Sequence, residues 1–267
     1  MARSLITKLL LTTGAALITL ASASSSAQAA TLLSTTEGNV GTVDPSTGIF
    51  TPQVTGPVFT DIALSKSSDL FGVTFGQLFN INVSTGSLSL IGNLGATLNS
   101  LGFSDADVLY GTGGSGLYQI NQVTGAASLV ASIPNFVSSG DIVFDSANQR
   151  FLATSLHGAS DRLFSIGLDG AATQIGEIGF RDVYGLFFEQ GKLWGYTRDR
   201  QQIIIDPTTG TGTFDKTVTG ITGEIWGSAS LAETDPKTSV PEPTSLLGLL
   251  GAALLGGRSA LQRYQRT

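Results

Sequence analysis

The sequence predicts an all-β fold, a five-bladed β-propeller of four-stranded antiparallel blades. Three observations lead there. A single pattern recurs about every forty residues. Each copy alternates apolar and polar residues around a tight turn. The copy nearest the N-terminus lacks a strand, and a lone strand stands near the C-terminus.

The recurrence is plainest in "LFNINVSTGSLSLIG" (78–92) and "LYQINQVTGAASLVA" (117–131). Further copies are "NVGTVDPSTGIFTPQV" (39–54), "QIIIDPTTGTGTFDKTV" (202–218) and the shorter-turned "RLFSIGLDGAATQIGEI" (162–178). Their turn glycines, Gly48, Gly86, Gly125, Gly170 and Gly210, lie 38, 39, 45 and 40 residues apart, and such a period marks a repeat architecture. Apolar side chains at every second position set one strand face against a neighbour. Asp or Asn followed by Gly reverses the chain, because the Asx side chain caps the turn and Gly accepts positive φ. Each copy is therefore a hairpin. Another hairpin precedes it in "DIALSKSSDLFGVT" (61–74), "SLGFSDADVLYGT" (100–112), "DIVFDSANQRFLAT" (141–154) and "VYGLFFEQGKLWGYT" (183–197). Two hairpins make one blade.

The first copy, "TLLSTTEGNVGTVDPSTGIFTPQV", supplies only strands two to four of its blade, and "EIWGSASL" (224–231) supplies the missing innermost strand. N-terminal strands paired with a C-terminal strand would leave no blade edge open. The propeller is placed at 31–232 with a linker at 233–239, and another closed or stacked all-β array is the alternative. The chain holds 34 Gly and 8 Pro, and its lack of Cys removes disulfide frameworks and thiolate chemistry.

The two ends read as addresses, and short helices are expected only there. "MARSLITKLLLTTGAALITLASASSSAQAA" (1–30) places Arg3 and Lys8 before an apolar run from Leu9 to Ala21 and an A-x-A site ending at Ala29. That is the pattern of a signal peptide handed to the Sec export machinery. The last segment, "VPEPTSLLGLLGAALLGGRSALQRYQRT" (240–267), carries Val240, Pro241, Glu242 and Pro243, then an apolar helix expected over 244–257, then Arg258, Arg263 and Arg266. In that order these parts resemble the PEP-CTERM sorting signal, although the arginines are spread out. The resemblance implies an exosortase as partner, transient anchoring in the inner membrane, and delivery to the cell surface or an exopolysaccharide matrix. Fourteen residues are short of the about 20 that a full span needs.

From Thr31 to Val240 there are 9 Lys and Arg against 19 Asp and Glu, a net charge of −10. Such a surface argues against nucleic acid and anionic lipid, and is compatible with neutral glycans or cations.

No catalytic motif, metal site or cofactor site emerges. "GTGGSG" (111–116) matches a dinucleotide fingerprint only formally, since a strand and not a helix follows it. The single His157 gives neither a metal cluster nor a serine triad. Asp105, Asp107 and Asp145 fall in turns. Aligning the innermost strands on Leu64, Phe103, Phe144 and Phe187 places Asp61, Ser100, Asp141 and Tyr184 at equivalent positions, with Trp226 completing the set. These five are expected to ring one mouth of the central channel, overhung by the His157 loop "SLHGASDR" (155–162). They suit a sugar or a cation, or simply cap a water-filled channel. The expected function is a non-catalytic binding or structural module that meets polysaccharide. The alternative is a lyase or glycosidase acting on extracellular polysaccharide.

Overall fold

A computed structural model describes residues 31–44, 46–189 and 191–230. The leader (1–30), the linker and the sorting tail with its apolar helix lie outside the described residues. Among those residues every regular element is a strand.

Twenty strands form five four-stranded sheets, four of them ordered by sequence from the axis outward and one led by the last strand. Blade one runs β20 (Ile225–Ser230), β1 (Thr31–Thr35), β2 (Asn39–Val43) and β3 (Phe50–Thr55). Blade two is β4 (Asp61–Leu64), β5 (Leu70–Thr74), β6 (Gln77–Asn82) and β7 (Ser87–Asn93). Blade three is β8 (Gly102–Phe103), β9 (Leu109–Gly113), β10 (Gly116–Ile120) and β11 (Ala127–Ser132). Blade four is β12 (Ser138–Asp145), β13 (Arg150–Ser155), β14 (Arg162–Ile166) and β15 (Ala172–Glu177). Blade five is β16 (Val183–Glu189), β17 (Lys192–Thr197), β18 (Gln201–Ile205) and β19 (Gly212–Thr217). The ring closes where β1 pairs antiparallel with β20, Thr31 opposite Ser230 and Leu33 opposite Ser228.

The repeated outer hairpins fold for the reason their sequence suggests. Oδ1 of Asp44, Asn82, Asn121 and Asp206 accepts the backbone N–H groups two and three residues on. The glycine that follows, Gly48, Gly86, Gly125 or Gly210, sits at φ between 73 and 81°. Every outer strand also carries a bulge at the matching place, at Gln53, Ile91, Val130, Ile175 and Asp215. Bulges bend an edge strand and blunt it against pairing with other chains.

The core is divided among the junctions between blades. One cluster packs Leu32, Val40 and Val54 of blade one on Ile62 and Leu70 of blade two. The others join Val73 and Leu78 to Leu109 and Ile120, Tyr110 and Leu117 to Phe151 and Phe164, Leu152 and Leu163 to Leu193 and Ile203, and Phe187 and Tyr196 to Leu33 and Val43. Each blade thus buries both faces.

Candidate functional site

The innermost strands all begin at one face, the entry face. There the segments between blades arrive, and there second strands turn into third strands. At the opposite face, first strands turn into second strands at Ser65–Asp69, Ser104–Val108 and Asp145–Gln149.

Pairing with the second strands fixes which residues share a level on the axis. Leu64 faces Leu70, Phe103 faces Leu109, Phe144 faces Phe151, and Phe188, not Phe187, faces Leu193. Counting back from these, Asp61, Ser100 and Asp141 share a level with Gly185, and with Gly227 of blade one. Tyr184 and Trp226 do not belong to that ring. Each is the extra residue of a bulge: the register jumps from Val183 to Gly185 opposite Tyr196 and Thr197, and from Ile225 to Gly227 opposite Ser34 and Thr35. The expected ring of five is corrected accordingly. Two glycines replace the two aromatics, which the bulges re-aim.

Nor is the ring an open rim. Asp61 and Ser100 are 0% exposed and Asp141 is 1% exposed. Oδ2 of Asp61 accepts the N–H of Leu101 at 2.6 Å, reaching from blade two to blade three. Oδ2 of Asp141, in blade four, accepts the N–H of Leu186 in blade five and the hydroxyl of Ser228 in blade one. The Asp61 and Asp141 carboxyls also act on each other. Burial first, and the Asp61 carboxylate second, push the Asp141 carboxyl well above the usual range, which favours a proton held between the two. The glycines make room for them. A Cβ on Gly227 would stand 2.5 Å from Oδ1 of Asp61, and one on Gly185 would stand 2.8 Å from Oγ of Ser228. Ser100 is held by Thr112, whose hydroxyl also meets Ser138 at 2.7 Å. The level is a hydrogen-bonded hub that ties the five innermost strands together.

Tyr184 and Trp226 instead end a connected run of side chains on the entry face. Tyr184 donates its hydroxyl to Asp182 at 3.3 Å, and Asp182 pairs with Arg198 at 3.1 Å. Arg198 lies 3.7 Å from Glu224, which accepts the indole N–H of Trp226 at 3.1 Å. The Trp226 ring meets Phe75 of blade two edge-on at 6.3 Å. The run crosses three blades and borders an open recess lined by Thr36, Arg198, Thr222 and Glu224. Partial burial, and then the Asp182 charge, raise the Tyr184 hydroxyl pKa, while Asp182 first of all raises that of Arg198. Val58, Val137 and Leu156 add exposed apolar surface to this face.

His157 is not part of the run. Its Nε2 contacts Arg162, which lies 3.7 Å from Glu177 on the outer strand β15. The His157 loop is fastened through Asp161, which accepts the Ser139 hydroxyl at 2.6 Å and the Val183 N–H at 2.8 Å. Phe75, Asp182, Arg198 and Glu224 lie in connections between strands, where the repeat pattern gives no alignment and so no signal in the sequence. The left-handed φ of Asp182, 55°, has no signature in the residue order. Among the described residues no three His, Cys, Asp or Glu side chains are grouped to hold a metal ion.

Residues 239–263 match the family model of the PEP-CTERM protein-sorting motif. No curated protein matches the chain. A chain in the crystal structure of a nidogen/laminin complex is similar at 8% identity and a TM-score of 0.58, covering 76% of this chain and 98% of that one. A structural-genomics protein of unknown function from Bacteroides thetaiotaomicron is similar at 11% identity and a TM-score of 0.53, covering 74% of this chain and 58% of that one. Both likenesses are of fold alone. The sorting motif implies export, recognition by an exosortase and membrane-anchored transit of a surface-sorted propeller.

Proposed function

We propose that the propeller is a non-catalytic binding module that takes polysaccharide of the cell surface or exopolysaccharide matrix on its entry face. One observation carries this reading. In two adjacent blades a bulge lifts an aromatic residue out of the buried ring, and glycine fills its place. The displaced Tyr184 and Trp226 are half-buried on a face that also presents Phe75, Arg198 and Glu224. Aromatic rings present flat apolar faces to the C–H side of sugar rings, and flanking carboxylate and guanidinium groups exchange hydrogen bonds with hydroxyls. Asp61 and Asp141, the two carboxyls of the buried ring, are both engaged inside the hub.

A glycan-array screen of the mature domain identifies the ligand. Tyr184→Ala and Trp226→Ala are then expected to weaken its binding by at least about tenfold each, the usual loss when an aromatic anchor is truncated. Lys66→Ala, on the opposite face, is expected to bind as the parent does. Unchanged binding in both aromatic variants would sink the proposal. Product formation by the purified domain, lost in Asp141→Asn, would establish the enzyme reading instead.

A further inference from the structure

Thr31 and Ser230 are directly opposite each other in the β1–β20 pair, at the place where the other blades carry the turn from first to second strand. Both ends of the described chain therefore leave from the face opposite the entry face. Thr31 follows the leader, and Ser230 leads toward the sorting motif, which begins at residue 239. We infer that while the tail is in the membrane, the Tyr184–Trp226 face is turned away from that bilayer. This face then meets polymers outside that membrane and not its lipid.

The geometry gives the inference its scale. Thirteen residues separate Ser230 from Thr244, where the apolar segment starts, and the fourteen steps between them span at most about 48 Å at about 3.4 Å each. To lay the entry face on the bilayer, that stretch must pass the three outer strands of blade one, about 14 Å at ordinary strand spacing. It must then climb a strand of six residues, about 20 Å. Most of its reach is consumed, and its conformations are correspondingly restricted. With the opposite face toward the bilayer, none of that path is needed.

The chain contains no cysteine, so single introduced cysteines report position cleanly. Lys66→Cys marks the face where the chain ends emerge, and Val137→Cys marks the entry face; both side chains are exposed. The full-length chain, made in a host without an exosortase so that the tail is retained, is labelled with a fluorescent donor. It is then reconstituted into phosphatidylcholine vesicles bearing acceptor-labelled headgroups. Energy transfer is expected to be at least about twofold greater from position 66 than from position 137. Equal transfer, greater transfer from 137, or none from either position overturns the inference, and greater transfer from 137 would make the apolar entry face a lipid-docking surface. The orientation does not rest on what the entry face binds, so a failure of glycan binding leaves this comparison unaffected.

Discussion

Ionising Asp141 places a second negative charge beside Asp61 in the middle of the molecule, where Asp141 accepts from the neutral N–H of Leu186 and hydroxyl of Ser228. The sign of the pH effect follows. A carboxyl whose pKa is raised by folding binds its proton more tightly in the native state than in the unfolded chain, where the ordinary value is about 3.9. Its stabilisation is complete below about pH 4 and is lost as pH rises through the folded-state pKa. Asp141→Asn keeps an acceptor for Leu186 and a donor for Asp61 while removing the titration. The melting temperature of that variant relative to the parent is expected to climb from pH 4 to pH 7, and two parallel curves would show that no proton is shared. Asp44 and Asp206 shift the other way, lowered first by the hydroxyls of Ser46 and Thr208, but both are fully exposed and serve here only as turn caps. Asp61 and Asp141 were legible in the sequence as a matched pair. Their burial was not, because it depends on glycines in two other blades.

At the scale of the hairpin, the repeated glycines are alike in conformation but differ in surroundings. Gly86 has φ of 73° with open space where a Cβ would be, whereas Gly210, at 81°, would set a Cβ 3.0 Å from the backbone of Gly176 in the preceding blade. Gly86→Ala is therefore expected to cost only the left-handed strain, about 1–2 kcal/mol. Gly210→Ala should cost clearly more, because backbone must also move, and chemical denaturation of the two variants reads the difference. Equal losses would mean that the blade contact is soft. The hairpins were readable from sequence because strand alternation and Asx–Gly turns are both local signals. The bulges were not, since one added residue leaves alternation intact on either side. Phe187 and Phe188 stand together in "GLFFE", and either one can anchor an alignment of the innermost strands. Choosing Phe187 carried Tyr184 and Trp226 into the ring, and only the pairing of Phe188 with Leu193 takes them out.

For the whole molecule, closure rests on β20. A chain ending at Glu224 loses buried Ile225 and Ala229 together with the Ser228 link to the hub, and leaves β1 with an open edge. Removing one large buried side chain costs about 2–5 kcal/mol, against a domain stability of about 5–15 kcal/mol. The truncated protein is expected to lose its cooperative melting transition and become sensitive to limited proteolysis; a chain that melts like the parent would mean the ring does not depend on closure. The far-UV circular dichroism of 31–230 should show strand with almost no helix. Closure was foreseeable from the sequence because a lone strand and an incomplete blade are complementary, whereas the entry-face run was not, because its members come from connections of unequal length. The β1–β20 pair also has a consequence in time. Export delivers the N-terminal end first, so β1 waits with its partner edge free while four blades emerge, and the pairing that ends the wait joins residues at opposite ends of the domain. Such distant pairing is slow to form. The closing strand is the last part of the propeller to cross, followed only nine residues later by the first residue of the sorting motif. A tail that pauses in the membrane would give the ring an interval in which to shut before release.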